Sequence, residues 1–402
     1  MPAPAARADT ADMDGSTAAP DRSAAGPAAA HGPAEGISLP ARIAEPGEAI
    51  TLDELRLAGR NHALPLEALR HDLTPVGLHY LLVHYDIPDL DPAGFRLTVD
   101  GAVERPLTVD LAALRAGPRA AHTVTLECAG NGRALLEPRP LSQPWLDGAV
   151  GTARWEGTPL APLLRAAGLR PGAVEVAFLG ADHGIERGVE QDYARALPLA
   201  EALRPDTLLA DTMNGAPLPP QHGAPLRLIA PGWYGMAQVK WLRRITVLDR
   251  PFDGFQNAVA YRLKRGADET GEPVTRIRPR ALMTPPGFPD FMSRTRVVDT
   301  GEQLLTGRAW SGGAPVARVE VSCDAGATWA DAELGEPLDR YAWLPWRHHW
   351  TADRPGPHQL RVRATDAAGA VQPADQDWNR QGMANNAVQR VDVLVRSSPG
   401  GA

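Results

Sequence analysis

The sequence predicts an α+β domain followed by a smaller β-sandwich of immunoglobulin type. Three observations carry this expectation. Up to about residue 250, strand and helix signals follow one another without regular βαβ order, and no GxGxxG follows a strand, which disfavours a doubly wound nucleotide fold. From Phe252 to Pro289 the chain is rich in proline, glycine and charge, the composition of a connection. Beyond it, short strands alternate with turn signals.

At 402 residues the chain exceeds the size, about 250 to 300 residues, at which a single hydrophobic core stops growing, so two domains are expected. The reading divides it into a disordered Ala/Pro-rich tail (1–48), a first domain (49–274), a sandwich (275–396) and a short tail (397–402). An apolar fraction of 44% and a charged fraction of 22% are those of an ordinary globular protein. With 41 basic against 48 acidic residues the formal charge is -7, so no global field attracts a nucleic acid. No apolar run approaches the roughly 18 residues of a membrane-spanning helix. The first forty residues show neither an apolar signal core nor paired arginines, and the only cysteines, Cys128 and Cys323, are far apart; both features lead to a cytoplasmic expectation.

In chain order, Thr51 to Arg70 carries leucines at near-helical spacing and predicts one or two short helices. Phe95, Leu97 and Val99 alternate before Asp100-Gly101, a hairpin signal. A strand over Thr123 to Leu126 ends abruptly at Cys128-Ala129-Gly130-Asn131-Gly132-Arg133. Thr158-Pro159, an apolar stripe from Leu160 to Ala167 and Gly168 read as a cap, a helix and its stop. Strands are expected over Val174 to Leu179, Leu226 to Ala230 and Ile245 to Leu248, with a turn at Asn214-Gly215. In the last part Val316 to Ser322 and Leu360 to Ala364 alternate, with turns at Ala325-Gly326 and Asp366 to Gly369. Trp310, Trp329, Trp343, Trp346 and Trp350 are expected in the sandwich core or a subunit interface.

A lone cysteine is usually an inert small hydrophobe, and Cys323 is read that way. Cys128 differs, because the glycines after it allow close backbone approach by a large ligand and Arg133 favours a thiolate. No HExxH, GxSxG or P-loop occurs, so zinc proteolysis, serine hydrolysis and nucleotide chemistry lack support.

The string Thr125 to Asn131, TLECAGN, resembles the molybdenum-ligand segment of the sulfite oxidase family. Further segments are similar to that family: Tyr80 to His84, Pro88 to Pro92, Gly148 to Trp155, Met213 to Pro219, His222 to Arg227, Pro231-Gly232 and Val239 to Leu242. The likeness runs from about residue 60 to 395. It implies a sulfite oxidase-type molybdopterin domain followed by a dimerisation domain, and a molybdenum-molybdopterin cofactor with Cys128 as the protein's metal ligand. A soft thiolate suits such a metal. Carried over residue by residue, the resemblance implies cofactor contacts from Tyr80, Leu81, His84, Asp182, His222, Arg227, Gln238, Val239 and Lys240, and a substrate site containing Arg133 and Trp145. It also implies a homodimer. No haem module is read in this chain, so electrons are expected to pass to a separate acceptor, a cytochrome being one candidate.

The substrate pocket departs from the family. Leu82 stands where the first of three arginines is expected, Gln381 where the third is, with Arg380 one residue early, and Phe252 where a tyrosine is. Tyr234 and Tyr261 are the alternatives for the missing phenol. A charge-assisted hydrogen bond is worth about 1.5 to 3 kcal/mol, so weak sulfite binding is expected. Oxygen-atom transfer is the leading reading. Reduction of a neutral sulfoxide or N-oxide is the alternative, and a non-catalytic cofactor-binding scaffold is the reading from another class.

Overall fold

The structure, a computed structural model, describes residues 42–397. The expected α+β balance is corrected to a predominantly β architecture. The α-helices are short, at Leu52–Arg60, Leu111–Ala116, Leu160–Ala167 and Leu199–Ala202. Glycines end the second and third of them, at Gly117 and Gly168. The first helix starts from a capping box in which Thr51 and Glu54 satisfy one another's backbone N–H, and a 3-10 turn at Leu66–Arg70 follows it.

Ten strands lie between residues 97 and 248: β1 Leu97–Gly101, β2 Leu107–Val109, β3 Ala120–Glu127, β4 Val150–Pro159, β5 Glu175–Glu186, β6 Val189–Pro198, β7 Leu208–Met213, β8 Ala216–Pro217, β9 Arg227–Ile229 and β10 Leu242–Leu248. One sheet has the order β2-β1-β10-β5-β6, with β1 and β10 parallel; the other has the order β3-β4-β7-β8, with β9 also on β7. Leu97, Phe178 and Ile245 of the first sheet, Leu209 and Leu228 of the second and Leu160 and Leu164 of the intervening helix share one buried core. Full burial of such a side chain contributes roughly 1.5 to 3 kcal/mol.

Asn214 and Gly215, both at positive φ, turn β7 into β8 as expected. Asp100-Gly101 does not form its tight turn. Gly101 still pairs with Val247, where a Cβ would come within 2.1 Å of the Val247 carbonyl oxygen, and the chain reverses after it. Thr158 is not a helix cap: it belongs to β4, and its hydroxyl donates to the Leu114 carbonyl.

The C-terminal part consists of a four-stranded and a six-stranded sheet. They enclose a core of Met283, Leu305, Trp346 and Trp350 from one sheet and Val298, Val321, Val362 and Val393 from the other. The last strand, Gln389–Arg396, alternates strictly between buried and exposed residues. The tryptophans divide. Trp310 and Trp343 leave the sandwich core and join Val150, Tyr234, Leu282 and Met383 in a cluster between the two parts, while Trp329 is half-buried under the Arg363 guanidinium at 4.2 Å.

The N-terminal tail reading needs correction at its end. Residues 42–48 pack on the body of the protein, with the Ala44 amide on the Arg139 carbonyl at 2.8 Å. Its remainder, residues 1–41, lies outside the described residues, as do 398–402. No described helix is long and apolar enough to cross a membrane.

Candidate active site

Five of the eight residues of β3, Thr123 to Glu127, are buried in succession, which delivers Cys128 to the interior at the strand's end. Its amide donates to Ala149 at 2.9 Å, and its sulfur accepts the Gly130 N–H at 3.4 Å. Asn131 closes the loop by donating to Glu127 at 2.9 Å and accepting from the Ala149 amide at 3.0 Å. Burial pushes the Cys128 thiol pKa up, while the Arg133 guanidinium, the Gly130 N–H and the nearby Trp145 indole oppose that shift. The indole nitrogen makes no regular hydrogen bond among the described residues.

Arg133 is buried beside this loop. Its Nε donates to the Gln381 carbonyl at 2.9 Å and Nη1 to the Gln143 carbonyl at 3.2 Å. The guanidinium lies so close over Gly130 that a Cβ there would meet it at 2.6 Å.

A cavity with about 630 Å³ of non-protein space, part of it open to solvent, adjoins the sulfur. Of the sequence-derived cofactor residues, Tyr80, Leu81, His84, Cys128, Asp182, His222, Arg227, Gln238 and Lys240 line it. Val239 does not: its side chain packs in the core of the first domain and its carbonyl accepts from Leu228. Arg133 and Trp145 border Cys128 without lining the cavity; Leu82 lines it, as a hydrocarbon wall.

His79 and Tyr193 also line the cavity and were missed by sequence reasoning. His79 directly precedes a recognised segment, and its ring stands edge-on to His222 at 5.5 Å. Tyr193 comes from β6, where no local motif marks it; its hydroxyl donates to Met236 at 2.7 Å. Phe252 lies instead in a groove outside β5, β6 and β10, away from Cys128. Of the two tyrosines weighed for the missing phenol, Tyr261 lines the cavity, with its hydroxyl 2.8 Å from His84 Nε2. Tyr234 is packed between the two parts of the protein, and Arg380 does not line the cavity.

Burial dominates the electrostatics. It lowers His79 and His84 to about 4 and His222 to about 2, so all three imidazoles are neutral near pH 7. It lowers Arg227 to about 10, and the guanidinium stays charged over the Trp155 ring at 4.7 Å. Burial also pushes Asp182 up and Lys240 down, while their mutual attraction works against both shifts. Lys240 Nζ donates to the carbonyls of Leu82 at 2.8 Å and Gln221 at 3.1 Å.

Two buried polar atoms of cavity-lining residues, Asp182 Oδ1 and Arg227 Nε, have no hydrogen-bond partner among the described residues, while His79 Nε2 makes only an irregular contact with the Gly151 backbone. Buried polar groups are nearly always paired, and unpaired ones on residues lining a cavity are what a polar ligand would satisfy. Donors, acceptors, fixed cations and a soft sulfur in one enclosure fit a pterin-bound metal.

Comparison with known proteins agrees with this geometry. Residues 84–256 match the family model described as oxidoreductase molybdopterin binding domain, and residues 289–396 the one described as Mo-co oxidoreductase dimerisation domain. Over 351 residues the chain is 34% identical to sulfite oxidase of Gallus gallus, covering 79% of this chain and 72% of that protein. The chain belongs to the sulfite oxidase family. Within that family it is 35% identical over 352 residues to mitochondrial sulfite oxidase of Rattus norvegicus, covering 80% of this chain but only 62% of the relative's length. Nitrate reductase [NADH] 1 of Arabidopsis thaliana is 32% identical over 374 residues, 85% of this chain and 41% of that protein. Among solved structures, the sulfane dehydrogenase SoxCD from Paracoccus pantotrophus superposes with a TM-score of 0.73 at 25% identity, over 89% of this chain and 90% of that one.

Proposed function

We propose that this chain is a molybdopterin-dependent oxidoreductase that transfers an oxygen atom to a small substrate and passes two electrons to a separate acceptor, such as a cytochrome, or in the reverse direction removes an oxygen atom with two electrons drawn from a separate donor. The observation that carries the reading is the buried Cys128 sulfur at the wall of a cavity lined by Asp182 and Arg227, each of which has a buried polar atom without a partner among the described residues. In this reading Cys128 is the protein's ligand to the metal, while His84, Asp182, His222, Arg227, Gln238 and Lys240, with Tyr80 and Leu81, hold the pterin. When bound, the cofactor supplies two-electron redox chemistry, and in the oxidising direction water provides the oxygen while two protons and two electrons leave.

The chain's own residues bind and orient the substrate. Arg133, fixed by two carbonyls, offers one cation next to the sulfur, beside which Trp145 also packs. Neutral His84 and the Tyr261 hydroxyl form a pair able to hold or move one proton. Leu82 supports the second direction, reduction of a neutral sulfoxide or N-oxide, because it presents hydrocarbon where an anion would need charge. We assign residues 49–274 to the cofactor domain and 275–396 to an immunoglobulin-type sandwich through which two copies associate. Molybdenum analysis combined with a dye-linked assay, run with sulfite and with a sulfoxide, tests the reading. Metal-loaded protein that turns over neither would favour a scaffold.

A further inference from the structure

Glu127, the last residue of β3, immediately precedes Cys128 and is 1% exposed. Its carboxylate is bound from three sides. Trp310 Nε1 donates to Oε2 at 2.8 Å, while Asn131 at 2.9 Å and Arg280 Nη1 at 3.2 Å donate to Oε1. Trp310 and Arg280 stand directly opposite one another on adjacent strands of the C-terminal four-stranded sheet. That sheet therefore presents two donors side by side to one carboxylate in the other domain.

Arg280 extends the grip, donating through Nη1 to Asn385 O at 2.6 Å and through Nη2 to Asp147 at 2.5 Å. The Asn385 side chain in turn donates to Gly132 O at 2.8 Å, and the Ala384 amide to Ala129 O at 2.7 Å. The loop carrying Cys128 is thus tied to the C-terminal part at residue 127 before the sulfur and at 129 and 132 after it. A buried ion pair adds little net stability over well-packed hydrocarbon, but it tolerates few geometries. Contacts whose only purpose was to join the domains would have no need to converge on the neighbours of the cysteine.

We infer that Trp310 and Arg280 are positioning residues, acting through Glu127 to set where the Cys128 sulfur meets the metal. The inference rests on the proposed role of Cys128 as metal ligand. It makes the sandwich part of the catalytic apparatus as well as an association module.

The test uses the metal-loaded full chain carrying Trp310→Phe, which keeps the ring and removes the N–H. The readouts are molybdenum content, the sulfur-to-metal charge-transfer absorption, the electron paramagnetic resonance of the one-electron-reduced metal, and separate kcat and KM. With metal content unchanged, the expected result is a displaced charge-transfer band, altered resonance and a kcat lowered about tenfold with KM moved far less, since misplacement acts on the chemical step. Glu127→Gln, which preserves size, carries the same expectation should Trp310→Phe fold poorly. Unchanged spectra and kcat in a fully loaded variant would reduce these contacts to domain adhesion and overturn the inference. Cys128→Ser separates the two levels: if it abolishes the band while Trp310→Phe leaves it untouched, only the positioning role fails, and if it leaves the band in place the ligand assignment fails first.

Discussion

Gly130→Ala isolates Arg133, the one arginine matched to the family's substrate site, from the rest of the site. An added Cβ would lie 2.6 Å from Nη2 and 2.7 Å from both Cζ and Nη1 of Arg133. Gly130 is not among the residues at positive φ, so alanine meets no backbone strain and the effect comes from this contact alone. Restoring ordinary contact requires the guanidinium to retreat by about 1 Å, and it cannot do so cheaply, because it is buried and held by the carbonyls of Gln381 and Gln143. The Gln143 bond, already 3.2 Å long, is the first to go. Loss of one charge-assisted bond corresponds to about 1.5 to 3 kcal/mol, and a 1 Å misplacement of a binding group to as much as about 100-fold in rate. We expect kcat/KM for sulfite with an artificial acceptor to fall about 10- to 100-fold while molybdenum content holds. A variant within about threefold of the parent, at equal melting temperature, would show that Arg133 is free to move or does not meet the substrate.

Further expectations follow from the same contacts. Cys128→Ser is nearly isosteric and should melt within a few degrees of the parent while losing almost all turnover, as read by thermal denaturation and dye-linked assay. Tyr261→Phe removes the hydrogen bond to His84; stability should drop by about 0.5 to 1.5 kcal/mol in a denaturant titration, with turnover falling alongside if the pair handles a proton. His79 is buried and neutral with its pKa lowered to about 4, so the folded chain binds fewer protons than the unfolded one between pH 6.5 and 4. Its contribution is complete above pH 6.5 and lost as pH falls towards 4, an effect of about 3 kcal/mol that pH-dependent unfolding of the parent and His79→Gln should show as a difference in slope. Leu82→Arg with Gln381→Arg should lower the Michaelis constant for sulfite more than either change alone, and an unchanged constant would mean that the two side chains do not share the pocket.

The site was legible where its residues cluster locally. The loop from Cys128 to Arg133 announces itself by a strand that stops at cysteine and glycines, and nine of the ten sequence-derived cofactor residues line the cavity. What escaped was set by packing at a distance. Tyr193 reaches the cavity from a strand with no signature, and Phe252 is carried outside the sheet while a wide π turn at Gln256–Ala260 precedes the tyrosine that meets His84. In the fold, strands with clear alternation, such as Leu360 to Ala364, were readable from period alone, whereas Val316–Ser322 alternates in sequence but buries its last four residues in succession. The division of Trp310 and Trp343 from Trp346 and Trp350 was not, because all four read as equally apolar and only the docking of the two parts separates them.

Whether Cys128 holds molybdenum in this cavity is read most directly by X-ray absorption at the molybdenum edge, on parent and Cys128→Ser protein of matched metal content. The expected result is near-stoichiometric molybdenum in the parent, with a sulfur shell that loses about one scatterer in the variant as an oxygen or nitrogen neighbour replaces it. Identical shells in the two proteins, or a parent that never acquires molybdenum in a host able to make the cofactor, would contradict it.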